Sequence, residues 1–256
     1  MKKTGRIRFI TFAQRTDPCV GLYSKFMTAF VKSYRDAPDN INVTVQGNVS
    51  GLGKKLGHRS APESVFLGTD TAMLQEIDRE TMEPLGPSKS HGELHPNIKG
   101  PLGPAHVYID NETGEYFSFN IEPGGKPTST YRVFRVDAKG KTIILATFNA
   151  TVAYIHSFFL SPNYVVLCLP VAHMDGVKIL WHRSFAGAFR PFDENEPTRR
   201  MVVDRHHGKG VVAKFRSEAL FFFHSSNAFE DDEGNVICEL VSFRDRAILT
   251  RSIMMS

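Results

Sequence analysis

The second half of this chain is a succession of hairpins, and that pattern limits what it can fold into. Runs of β-branched and aromatic residues are separated by turns rich in Gly, Asp and Asn, the local chemistry of tight reversals between strands. His106 to Ile109 turns at Asp110–Gly114 into Glu115–Asn120. Thr130–Val136 turns at Asp137–Gly140 into Thr142–Phe148, and Ile155–Leu160 turns at Ser161–Asn163 into Tyr164–Leu169. Arg200–Asp204 turns near His206–Gly210 into Val211–Phe215, and Ala219–His224 leads through Asp231–Asn235 to Val236–Phe243. Turns at roughly every dozen residues predict an all-β sandwich, barrel or propeller rather than an α/β fold.

The first hundred residues read as less regular. Leu22–Ser33 has the pattern of a short amphipathic helix, while Gly47–Gly57 and Pro84–Pro104 read as loops; a loop as long as the second is often functional. No linker divides the chain, so residues 1–256 are expected to form a single domain. With 41% hydrophobic residues and 20 Phe, it has material for a sizeable core.

The net charge of +4 is spread along the sequence. Its short basic clusters, Met1–Arg8 and Pro197–Arg205, lack interleaved stacking aromatics, which argues against nucleic-acid binding. Three cysteines without a CxxC argue against a disulfide framework or a thiolate zinc site and fit a reducing, cytoplasmic setting. The sequence carries neither a signal-peptide pattern nor an apolar run of membrane-spanning length, so any membrane contact is expected to be peripheral. Gly51-Leu-Gly53 lacks the spacing of a phosphate-binding loop, and no Gly-x-Ser-x-Gly is present.

The chemistry-bearing candidates are histidines, of which there are ten. His106 follows a Pro/Gly loop at the start of a strand, His156 lies in the aromatic strand around Ser157-Phe158-Phe159, and His224 ends the apolar strand Leu220–Phe223. Imidazoles at the ends of buried strands can converge on one metal, and neutral imidazole suits iron, copper, zinc and nickel. Their separations, 50 and 68 residues, form no local metal motif. On spacing alone a hydrogen-bonded core histidine is the default for each. His206 and His207 read as a solvated turn, and His91 and His95 as surface-loop residues that could line an entrance. His58, His173 and His182 read as structural or solvated, and the Phe residues of the strands as core packing.

Three segments carry a family resemblance. Tyr154–Leu167, Phe223–Asp231 and Ala105–Gly114 resemble the segments around three iron-ligating histidines of the carotenoid cleavage oxygenases. Arg15–Gly21, Glu76–Glu83 and Pro197–Arg199 match further family segments in the same order, closest to fungal-type members. The resemblance implies a seven-bladed β-propeller. It implies one Fe(II) held by four histidines, here His106, His156 and His224. It also implies carboxylates that orient three of the imidazoles, and cleavage of a conjugated double bond of a carotenoid or apocarotenoid by O2. It places one such carboxylate at Thr69-Asp70-Thr71, where the family usually has Glu. Asp70 is shorter by one methylene, which puts its reach to an imidazole in question. Thr69 would face the open side of the metal. Glu230 would make a structural polar contact.

The sequence departs from the family in length. Members are roughly twice as long, and their fourth histidine belongs beyond Ser256. The chain is therefore expected to be a partial propeller, poorly stable and catalytically impaired by itself. Two alternatives stand beside the dioxygenase reading: an inactive remnant that binds lipid or protein, and a propeller interaction module without metal.

Overall fold

The protein, described here from a computed structural model, is defined over residues 44–52, 62, 64–124, 128–175 and 188–243. The expected helix at Leu22–Ser33, the Arg15–Gly21 segment, His58, Trp181 and His182 lie outside these residues.

Fourteen strands are described. The first four are β1 (Thr44–Gly47), β2 (Val65–Gly68), β3 (Met73–Ile77) and β4 (Lys89–Ser90). The next four are β5 (Tyr108–Ile109), β6 (Tyr116–Glu122), β7 (Thr128–Val136) and β8 (Thr142–Thr151). Then follow β9 (Phe159–Leu160), β10 (Tyr164–Leu169), β11 (Thr198–Asp204) and β12 (Val211–Ser217), and finally β13 (Phe221–Glu230) and β14 (Val236–Phe243). They form three consecutive four-stranded antiparallel sheets, β1–β4, β5–β8 and β9–β12, and a two-stranded sheet β13–β14. Each sheet pairs its strands in chain order. Repeated antiparallel units of this kind are the blades of a β-propeller.

Each hydrophobic core lies between successive sheets. Phe66 and Leu74 of the first sheet pack with Tyr116, Phe134 and Val136 of the second. Phe119, Tyr131 and Val133 of the second pack with Val165, Leu167 and Val203 of the third. Val166, Cys168 and Val202 of the third pack with Phe222 of β13. The central strands are thus covered on both faces. That explains why Tyr116–Ile121 and Val165–Leu169 are buried at every position, and why Val165–Leu169 reads as a continuous apolar run. β12 is by contrast mostly exposed and β14 mostly half-buried, and neither has a fully buried residue.

β7 shows how one strand serves two cores. Tyr131 and Val133 face the third sheet, Phe134 and Val136 face the first, and a register shift against β8 falls between Val133 and Phe134. The two facings on β7 are the ordinary alternation of a strand; the extra residue of the bulge is Leu145 of β8, which is buried together with its neighbour Ala146.

The sheets are also latched by polar groups. Arg205, after β11, pairs with Asp110 of the β5–β6 turn, donates to the carbonyls of Ser161 and Pro162, and lies over the Phe117 ring. Glu230, at the end of β13, accepts hydrogen bonds from Ser161 Oγ, Asn163 N and Asn163 Nδ2. That is the structural contact expected of it.

The irregular reading of the first hundred residues needs correction. Residues 44–90 contain a full four-stranded sheet, and the Pro84–Pro104 stretch contributes β4 and a capped 3-10 helix, His91–Glu93. His91 is neither a surface nor an entrance residue. It is 1% exposed and hydrogen-bonds through Nε2 to Tyr116 Oη.

Candidate metal centre

The three histidines stand at equivalent places in the fold. His106 precedes β5, His156 precedes β9, and His224 lies early in β13, so each sits at the first strand of a successive sheet. Two of the local expectations change. The segment from Val152 to Phe158 is irregular, with strand structure resuming only at Phe159; His156 is therefore carried by a bend and not by a strand. His224 is inside β13 rather than at a strand end. There the pairing jumps from Phe222↔Ser242 to Ser225↔Leu240, so Phe223 and His224 stand opposite a single residue. A bulge turns a side chain out of the regular alternation.

The imidazoles meet. Ring centroids are 4.8 Å apart for His106 and His156, 4.9 Å for His106 and His224, and 5.0 Å for His156 and His224. The rings stand edge to face, at 77°, 72° and 78°. One nitrogen from each lies within 4.8 Å of the others. Among the described residues this is the only such group of three potential metal ligands. His91, His95, His173, His206 and His207 stand apart from it. His173 pairs with Glu196, His207 with Asp204, and His206 is exposed in its turn and bonds the Pro162 carbonyl.

His106 and His156 are held by backbone and side-chain contacts. The His106 N–H donates to the His156 carbonyl, joining two of the three positions directly. The preceding carbonyl, of Ala105, accepts from Thr44 Oγ1 at 2.6 Å and from Gln46 Nε2, which ties His106 to the first sheet. The loop leading to it is fixed by Asn120, whose amide bonds Gly100 N and the carbonyls of Gly100 and Leu102. A Cβ at Gly100 would collide with the Ile121 backbone, so that position has room only for glycine.

His156 is oriented by Asp70. Asp70 lies between β2 and β3, its backbone carbonyl accepting from Gly103 N beside the Thr71–Leu102 bridge. Its Oδ1 is 2.7 Å from His156 Nδ1, and its Oδ2 accepts from Tyr154 Oη at 2.7 Å. Asp70 thus does reach its imidazole: the turn brings the backbone close enough that the shorter side chain suffices. A carboxylate on Nδ1 fixes the tautomer that leaves the other ring nitrogen free to ligate and raises its basicity. Thr69 shares a hydrogen bond with the Thr71 hydroxyl. Sequence reasoning assigned no role to Tyr154, although it lies two residues before His156, nor to Ser157 immediately after it.

Electrostatics favour the neutral form of His106 and His224. Burial, then repulsion from His156 and His224, lowers the His106 pKa to about 4, against an opposing pull from Asp70. Burial and His156 lower that of His224 in the same way. Lone pairs on these nitrogens are therefore available at neutral pH. Exposure rises around the group, from buried His156 through half-buried His106 to exposed His224, so the centre is open on the His224 side. Three converging imidazoles, one of them held by a carboxylate, fit a divalent first-row metal.

Comparison with known proteins follows the same line. Residues 2–255 match the family described as retinal pigment epithelial membrane protein. A carotenoid dioxygenase of Neurospora crassa is 40% identical over 95% of this chain and 45% of its own. A torulene dioxygenase of Gibberella fujikuroi is 40% identical over 91% and 43%. Among solved structures, an apocarotenoid oxygenase of Synechocystis superposes with a TM-score of 0.60 at 20% identity, covering 80% of this chain and 40% of that one. A lignostilbene dioxygenase of Pseudomonas brassicacearum does so with a TM-score of 0.51 at 26% identity, covering 69% and 35%. The chain spans somewhat under half the length of the curated relatives it matches.

Proposed function

From the premise that this chain belongs to the retinal pigment epithelial membrane protein family, the carotenoid cleavage oxygenases, we propose that it holds Fe(II) on His106, His156 and His224 and serves cleavage of a conjugated C=C bond of a carotenoid or apocarotenoid to two carbonyl products. The observation that carries this reading is the mutual approach of the three rings, all centroid pairs within 5.0 Å. The 40% identity to the Neurospora and Gibberella enzymes supplies the substrate class.

When bound, iron supplies the reaction with O2, chemistry that no side chain offers. The protein's own groups do the rest. Asp70 accepts a hydrogen bond from the Nδ1–H of His156, which leaves the other ring nitrogen to ligate, and Tyr154 donates to the far oxygen of Asp70. Phe223, packed edge-on against His156 at 5.6 Å, walls the centre with apolar surface that suits a polyene. Thr69 is placed by this reading on the open side of the metal. A polyene partitions into lipid, so peripheral membrane contact belongs to the proposal; among the described residues no helix is long and apolar enough to cross a membrane.

The test is anaerobic reconstitution with Fe(II) followed by addition of an apocarotenal and O2. Bleaching of the polyene band that requires both iron and O2 supports the reading. A second reading, metal binding without cleavage, is favoured by the exposure of His224 in a set of three ligands. Stoichiometric iron without bleaching selects it, and loss of neither iron nor bleaching in a His156→Ala/His224→Ala variant removes both.

A further inference from the structure

Ser157 makes two short hydrogen bonds that converge on the neighbourhood of His224. Its hydroxyl donates to the carbonyl of Phe223 at 2.7 Å and accepts from the N–H of Ser225 at 2.7 Å. These are the backbone groups on either side of His224, and they sit at the bulge where the pairing of β13 with β14 jumps. A serine hydroxyl both donates and accepts, so it can replace a strand partner for one carbonyl and one N–H together. The hydroxyl is well placed for this because the segment around it is irregular and the side chain is buried, 1% exposed.

We propose that Ser157 is a positioning residue for His224. It clamps the bulge from inside and, being the chain neighbour of His156, fixes the spacing between those two imidazoles. The same bulge is held from the second sheet, since Tyr108 Oη lies 2.9 Å from Ser225 Oγ. The clamp therefore gathers the segments of all three histidines: Tyr108 follows His106 by two residues, and the His106 N–H already bonds His156. A purely structural role would make Ser157 equivalent to Thr198, whose buried hydroxyl accepts from the Leu220 N–H just before the same strand, four residues before His224. The two differ in that only Ser157 borders the imidazole.

This inference rests on the metal reading above and is tested on the full chain with Co(II), whose visible bands report its coordination, as the probe. Ser157→Ala is expected to weaken Co(II) binding about tenfold or more, the size of effect that supporting partners of metal ligands have, and to alter the visible bands. Thr198→Ala, with a comparable hydrogen bond lost, keeps affinity within about threefold. Ser157→Cys fills the same space with a weaker hydrogen-bonding group. It loses affinity in the same sense and keeps the test open should the alanine variant not fold. Equal losses in the Ser157 and Thr198 variants, or Ser157 variants within threefold of the parent, overturn the proposal while leaving the metal reading intact. Absence of Co(II) binding by the parent chain overturns the metal reading and this inference with it.

Discussion

Asp70 Oδ1 lies 2.7 Å from Nδ1 of His156, and both side chains are almost wholly excluded from solvent. The two residues come from different sheets, 86 positions apart, so the bond couples the β2–β3 turn to the histidine that precedes β9. In Asp70→Ala the ring loses the acceptor that fixes its tautomer. Metal affinity is expected to fall about 10–100-fold, read by titration with Fe(II) under anaerobic conditions or with Co(II). Asp70→Asn keeps an accepting oxygen and is expected to fall between. Lengthening to Glu should weaken the site rather than improve it, because both Asp70 oxygens already have partners at 2.7 Å. Unchanged affinity in Asp70→Ala would mean that the carboxylate does not serve the ligand.

Tyr154 supports that carboxylate from behind. Its hydroxyl donates to Asp70 Oδ2 at 2.7 Å and stands 3.4 Å from His156 Nδ1. Tyr154→Phe deletes a buried hydrogen bond to a charged group, a change that costs about 1–3 kcal/mol. The urea midpoint of the metal-free chain should drop accordingly. Metal affinity should fall by less than in Asp70→Ala, because the Asp70–His156 bond survives. A larger effect on affinity than that of Asp70→Ala would place Tyr154 closer to the metal than the geometry allows.

These two bonds mark where the sequence stops being legible. The hairpins from β6 to β14 were readable because each uses local turn chemistry, and β14 falls on Val236–Phe243 as read. The first sheet was not. β1, β2 and β4 are only two to four residues long, too short for alternation to register, and their pairing depends on contacts distant in sequence. The three histidines were found through their flanking segments, since separations of 50 and 68 residues carry no periodic signal. Asp70's reach depends on how a turn docks against Gly103 and Leu102, which no count of methylenes reveals. Ser157 and Tyr154 lay within the quoted His156 segment, but their partners, Phe223, Ser225 and Asp70, are supplied by other sheets.

Arg205 gives a stability prediction independent of the metal. Its guanidinium is mostly buried, pairs with Asp110, bonds two carbonyls of the β9–β10 turn, and lies over Phe117 at 4.6 Å. Arg205→Met leaves Asp110 without that partner and should destabilise by about 3–5 kcal/mol. Arg205→Lys should recover little, because an ammonium cannot reproduce the planar fork or its stacking on the ring. Adding Asp110→Asn to Arg205→Met should cost much less than the sum of the single changes. Additive losses in urea denaturation would show that the two residues act separately.

His91 sets an acid limit on the fold. The imidazole is 1% exposed, meets Phe134 edge-on, and has no partner for Nδ1 among the described residues. Burial lowers its pKa from the usual 6.5 to about 4. Below pH 6.5 the unfolded chain therefore binds a proton that the folded chain refuses. The resulting stability is complete above about pH 6.5 and is lost as pH falls toward 4, by up to about 3 kcal/mol at the lower end. His106 and His224, also lowered, contribute in the same direction, so the His91 share is read as a difference between proteins. His91→Gln can still hydrogen-bond Tyr116 but does not titrate. Its unfolding free energy, measured in urea at several pH values between about 7 and 4.5, should decline less steeply than that of the parent, by up to one proton's worth of slope. Parallel profiles would show that His91 takes up its proton without unfolding, and that acid sensitivity arises elsewhere, with His106 and His224 the next residues to exchange.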